Sequence, residues 1–383
     1  MIDMKNKLLI FMLTVALLLP AFCFGAAAED SYTEIPEGFF EAIDELPSES
    51  RDKLPDEIYS EDTSEVAAAL SGLASPRYIL DFFAEILGSG IGDMLKLLAK
   101  LCGVIVLSAL CSALRRTVAS EALSSAIGFA VGCAILGCIL EIIYSQIELL
   151  SAFFERLNSL MLTMIPVLGT LYAAGGNITG AVASGSSMYL FLAISENFCA
   201  RTIVPIVSVC TALALCRAIS PSMELQSVGN AIKRCYTFSL GLIMSLLLFL
   251  LAGESTLTAA ADSMGSRAAK VLASSMIPVV GGSISETLRT AAAGVQYAKS
   301  IVGVGGVVFI LLLLLPTLIS LLLGKLAFMV GGALAGVLGC EDEVRLLTDI
   351  GGIYNCMIAV VSMCSVMFIF AINIFIKTAV AIG

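Results

Sequence analysis

The chain has 383 residues, of which 58% are hydrophobic and only 14% charged, with a mean hydropathy of +0.99. A soluble globular chain is about 45–50% apolar and about 25% charged, so this composition excludes a solvated shell around one core and indicates an integral membrane protein. The net charge of −10 argues against nucleic acid as a partner, and the absence of His removes every imidazole mechanism, from the Ser-His-Asp triad to HExxH zinc sites.

Residues 1–28 have the order of a secretory signal peptide. Lys5 and Lys7 precede the apolar run Leu8–Leu19, which is shorter than the roughly 20 residues a span needs, and Ala26-Ala27-Ala28 follows with Glu29-Asp30 directly after it. Residues 29–65 hold 14 acidic side chains against Arg51 and Lys53, a net of −12, so the rest of the chain is nearly neutral. With Pro36, Pro47 and Pro55, this segment is expected to be extended or partly helical, and residues 29–74 are assigned outside the membrane. The segment reads either as a solvating tail or, since Phe39, Phe40, Ile43 and Leu46 recur at helical spacing between the acids, as a docking stripe for a partner.

Residues 75–120 read as an amphipathic helix followed by the first span. Ile79, Phe82, Phe83, Ile86 and Leu87 share one face, and Gly88, Gly90 and Gly92 are expected to break the helix. The first firm span, 97–114, ends at Arg115-Arg116, and the second is 122–143. If residue 29 starts outside, the Arg pair falls inside, as the positive-inside rule requires.

An internal repeat follows. Met164-Ile165-Pro166-Val167-Leu168-Gly169 returns as Met276-Ile277-Pro278-Val279-Val280-Gly281, Pro205 returns as Pro316, and Leu225-Gln226-Ser227 … Cys235 as Leu346-Leu347-Thr348 … Cys356. The copies are placed at 121–234 and 235–383. Polar flanks (Asp262, Arg267 and Lys270; Glu286 and Arg289) leave a short uncharged stretch around Pro278. That pattern suits a segment that dips into the membrane or lies on it, which gives parallel copies, whereas a full crossing would invert them. The expected fold is an all-α polytopic membrane protein of six to nine transmembrane helices with two duplicated, Pro-broken re-entrant or interfacial segments. Its spans are 97–114, 122–143, about 188–213, 236–252, 301–323 and 353–376.

The candidate pore or docking residues are Pro166, Gly169, Pro278 and Gly281, together with Glu141, Glu196 and Arg201, which are ionisable groups in or beside apolar runs. Of the twelve cysteines, ten lie in or beside predicted spans and none forms a CxxC, so they read as small hydrophobes. No GxxxxGK[ST] loop is present, so a nucleotide-driven step would need another subunit. No cofactor, metal or catalytic residue is expected.

The signal peptide, the acidic proline-containing segment and the duplicated Met-Ile-Pro-Val segments together resemble the stage III sporulation protein AE family of endospore-forming bacteria. The resemblance implies a non-enzymatic subunit of the channel or secretion-like complex that joins mother cell and forespore after engulfment. It would sit in the mother-cell-derived outer forespore membrane, with the acidic segment extracytoplasmic. Its partners would include a ring-forming protein and a cytoplasmic ATPase, besides the lipid bilayer. The alternative is a stand-alone secondary transporter with inverted repeats, for which Glu196 and Arg201 would be the coupling charges.

Overall fold

The computed structural model describes residues 35–60, 62–117, 121–174, 187, 190–191, 194–219, 225–276 and 281–377. The proposed signal peptide and Pro278 lie outside the described residues. Four short elements come first: α1 (Gly38–Asp44), α2 (Ser48–Arg51), a 3-10 turn (Asp56–Tyr59) and α3 (Thr63–Leu73). Long helices follow: α4 (Pro76–Thr117), α5 (Glu121–Ala174), a π-helical turn (Glu196–Ala200), α6 (Arg201–Ile219), α7 (Leu225–Met276), α8 (Gly281–Val337) and α9 (Glu341–Lys377). Among the described residues, six helices are long and apolar enough to cross a membrane, and no strand occurs. The chain is an all-α polytopic membrane protein.

Two expected breaks are absent. Gly88, Gly90 and Gly92 lie within the uninterrupted 42-residue α4, and Pro166 lies inside the 54-residue α5. The reason is tertiary. A helical glycine costs only about 1 kcal/mol relative to Ala, and α4 buries Phe82, Leu101 and Ile105 against its neighbours. Gly90 serves helix approach instead, since a Cβ there would stand 2.7 Å from Leu323 Cδ1 of α8. Around Pro166, the side chains of Met164, Ile165, Val167 and Leu168 are buried and α5 continues through the position, while Pro166 itself is exposed. The first Met-Ile-Pro-Val segment is therefore continuous helix, without the expected break at Pro166. At the second copy, α7 ends on Met276 and α8 starts at Gly281.

The side-chain pairings establish the sense of each helix. α8 and α9 form an antiparallel hairpin: Tyr354 lies against Gly324, and Ile372 against Gly306. The hairpin turns at Gly339, the one described glycine with positive φ (74°). There the Cys340 N–H bonds to the Ala335 carbonyl at 3.0 Å and the Gly339 N–H to that of Gly336 at 3.2 Å, the paired bonds of a Schellman cap. α6 runs antiparallel to α9, through Cys199 beside Cys364 and Arg217 beside Asp349, whereas α7 runs parallel to α9, through Lys233 beside Gly352 and Met363 beside Gly241. The hairpins α6–α7 and α8–α9, each with a Pro inside its first helix (Pro205 and Pro316), thus point the same way. Within these two hairpins the Pro-bearing helices run in the same direction.

The acidic segment is folded onto the helices. Phe39, Ile43, Leu46, Leu54, Ile58, Val66, Leu70 and Leu73 are buried, each contributing about 1.5–3 kcal/mol on leaving water. The Phe39 ring packs 5.3 Å from that of Phe309 in α8 and occupies space that a side chain at Gly305 would fill. Gly38 lies against Val167 of α5. The stripe that reads as a partner-docking face is therefore seated on this chain's own helices. Its other acids face the other way: Glu41, Asp44, Asp52, Asp56, Glu57, Asp62 and Glu65 are all exposed, whereas Glu49 borders the helices. The apolar partners of this segment lie far along the chain, at Val167 on α5 and at Gly305 and Phe309 on α8.

Candidate functional site: a polar cleft beneath the acidic segment

α4, α5 and α8 enclose a cleft of about 510 Å³, with Glu49 of α2 on its wall. Two ion pairs line it. Lys96 Nζ lies 2.8 Å from Asp93 Oδ1 within α4, and Lys100 Nζ lies 3.0 Å from Glu141 Oε1 across to α5. Ser145, Gln146 and Ser320 add neutral polar groups, and Met94, Leu97, Ile142 and Leu323 supply apolar wall. The cleft side chains of both pairs are more than half exposed, so the Lys100–Glu141 pair adds little stability and is free to exchange partners.

Pro316 sits on the same wall, inside α8. Proline has no N–H, so the carbonyl four residues back, that of Leu312, loses its helical partner. Ser50 supplies a replacement. Its hydroxyl donates to the Leu312 carbonyl at 3.0 Å, and the residue is fully buried. A buried carbonyl without a donor costs about 1–3 kcal/mol, so this one bond both satisfies the gap in α8 and pins the acidic segment over the cleft. Lys53 strengthens the attachment, with Nζ 2.8 Å from Glu85 Oε1 and 5.3 Å from the Phe82 ring centroid.

Of the residues singled out from sequence, Glu141 alone reaches this cleft. Pro166 and Gly169 lie on α5 away from it, and Gly281 opens α8. Glu196 opens the π-helical turn, and Arg201, exposed, begins α6, so these two are not brought to the cleft either. Sequence reading missed Lys100, although a lone Lys inside a predicted span is itself a signal. It used Pro316 only as a repeat landmark. It had no means of finding Ser50.

A second polar cluster lies where the helices turn. Arg217 Nη1 pairs with Asp349 Oδ2 at 2.6 Å, their side chains 18% and 12% exposed, which joins α6 to α9. The Ser108 hydroxyl donates to Glu343, which joins α4 to α9. Cys199 and Cys364 are buried with their sulfurs 3.0 Å apart, and the described cysteines are free thiols.

A family model described as stage III sporulation protein AE matches residues 69–379. The stage III sporulation protein AE of Bacillus subtilis (strain 168) is 21% identical over 223 residues, covering 58% of this chain and 56% of that protein, so the match spans little more than half of the relative's length. No solved structure matches. With most of the long-helix region matched and an all-α polytopic fold, the chain belongs to the stage III sporulation protein AE family.

Proposed function

We propose that the chain is a non-enzymatic membrane subunit of the channel or secretion-like complex that links mother cell and forespore after engulfment. On this reading it lies in the mother-cell-derived outer forespore membrane, with its acidic segment in the space between the membranes. It works beside a ring-forming protein and a cytoplasmic ATPase that supplies energy from outside this chain. The observation that carries the subunit reading is the two-faced acidic segment. Its apolar side is spent on α5 and α8, while its acids are held out on a folded support, a surface suited to a basic partner. The parallel sense of the α6–α7 and α8–α9 hairpins favours this reading over an alternating-access transporter, whose halves are commonly inverted.

Co-purification of the full chain from sporulating cells tests it. A ring-forming partner and an ATPase are expected to come with the wild-type chain, and to be lost when Asp44, Asp52 and Asp56 are changed to Lys, at unchanged protein level. Recovery of the wild-type chain alone would refute the reading.

A further inference from the structure

We propose that the cleft between α4, α5 and α8 binds the headgroup of an amine-bearing zwitterionic phospholipid, its phosphate at Lys96 and Lys100 and its ammonium at Glu49. Three features of the cleft select that chemistry.

The first is charge. Glu49, Asp93 and Glu141 face Lys96 and Lys100, so the wall carries both signs with one acid in excess. Asp93 and Glu141 are already paired, whereas Glu49 has no ion-pair partner among the described residues. An anionic headgroup would find the two lysines but also the surplus carboxylate. A quaternary ammonium would find Glu49 but could donate no hydrogen bond to it. A primary ammonium does both, and each lysine has three donors, enough to keep its carboxylate while donating to a phosphate oxygen.

The second is the apolar share of the wall. Met94, Leu97, Ile142 and Leu323 stand beside the charged groups, as the join between a headgroup and its glycerol backbone requires. The volume of about 510 Å³ is that of a small-molecule site.

The third is position. From the cleft, the α4–α5 hairpin continues as exposed apolar surface: Val106, Leu107 and Leu110 on α4, Leu140 and Phe129 on α5. Acyl chains anchored in the cleft would lie along it. Tyr144, 64% exposed, stands beside the cleft residue Ser145, and an exposed tyrosine at such a border marks the headgroup level of a bilayer. The assignment needs only that this hairpin lies in lipid, and it does not depend on the proposed complex.

The chain has no Trp, so Leu97→Trp places a single fluorophore in the cleft, and Ile142→Trp provides a second position should the first disturb folding. The full chain is reconstituted in vesicles doped with brominated phospholipids of equal acyl chains and ethanolamine, choline or glycerol headgroups. Ethanolamine lipid is expected to quench with about threefold higher apparent affinity than the other two, the scale of one solvent-facing ion pair. Glu49→Gln should abolish that preference, and Lys100→Gln should weaken all three. Equal quenching by the three lipids, or a preference that survives Glu49→Gln, would overturn the proposal. Free phosphoethanolamine separates the two sources of this chemistry. Relief of quenching by the free compound, or resistance to it with the lipid preference intact, both support a lipid site. Binding of the free compound without any lipid preference would assign the cleft to a soluble zwitterion and overturn the lipid assignment.

Discussion

Ser50→Ala is the sharpest single perturbation the structure offers. Among the described residues the hydroxyl bonds to the Leu312 carbonyl at 3.0 Å, and that carbonyl is in need because position 316 is proline. Removing the donor leaves a buried acceptor unmatched, at a cost of about 1–3 kcal/mol. The cause can be isolated by a double-mutant cycle with Pro316→Ala, which restores the N–H that α8 lacks. In that background Leu312 has its helical donor again and Ser50 becomes redundant, so Ser50→Ala should cost only a few tenths of a kcal/mol. The expected coupling is about 1–2 kcal/mol. Trypsin reads it out on the full chain in detergent, because Arg51 and Lys53 adjoin Ser50 and lie on backbone that is folded while the segment is docked. When undocking is fast relative to cleavage, the rate follows the undocking free energy, so Ser50→Ala should accelerate cleavage by roughly tenfold. An equal acceleration in the Pro316 and Pro316→Ala backgrounds would refute the account of the missing helical bond.

Further outcomes follow from other contacts. Gly305→Ala should drive the Phe39 ring from its seat and raise cleavage at Arg51 as well, and Phe39→Ala added to it should recover part of the loss; no recovery would show that the clash lies elsewhere. Arg217→Met leaves a nearly buried Asp349 unpaired and should lower thermal stability by about 2–3 kcal/mol, whereas Arg217→Met with Asp349→Leu should regain most of it, as measured by the melting of the purified chain. Asp62 caps α3, and bonds from the Ser64 N–H and hydroxyl hold its carboxyl below the usual carboxylate range. The folded pKa is thus lower than the unfolded one, so the cap is present above the ordinary carboxylate pKa and fades as pH falls through the folded value. The hydrogen-exchange protection factor of Ser64 should decline on acidification in the wild type and stay flat in Asp62→Asn, which keeps the cap without the titration.

Much of the helical order was legible in the sequence. Runs such as Ile310–Leu315 can only be buried or lipid-facing, and Arg115-Arg116 stops the first span whatever packs around it. What misled were local signals overruled at long range. Gly88-x-Gly90-x-Gly92 reads as a break until Gly90 is seen packed against Leu323 of α8, and Pro166 reads as a break until its buried neighbours are seen. The apolar stripe of the acidic segment was visible, but its receiver was not, since nothing near Phe39 points to Gly305 and Phe309. The cleft was half legible. Glu141 and Lys100 are each conspicuous in an apolar run, yet their pairing depends on how α4 and α5 cross, which sequence spacing does not state.

The bond between Ser50 and Leu312 also has a consequence in time. Its two ends are 262 residues apart, so at a synthesis rate of about 5–20 residues per second the acidic segment leaves the ribosome tens of seconds before its seat on α8 exists. Until then Phe39 lacks the seat at Gly305 and Phe309 that covers it in the finished fold. The first part of the described chain to be made is among the last to be finished. A cell that builds this protein must carry its amino-terminal segment, sticky on one side and acidic on the other, through that interval without losing it to proteases or to the wrong helix.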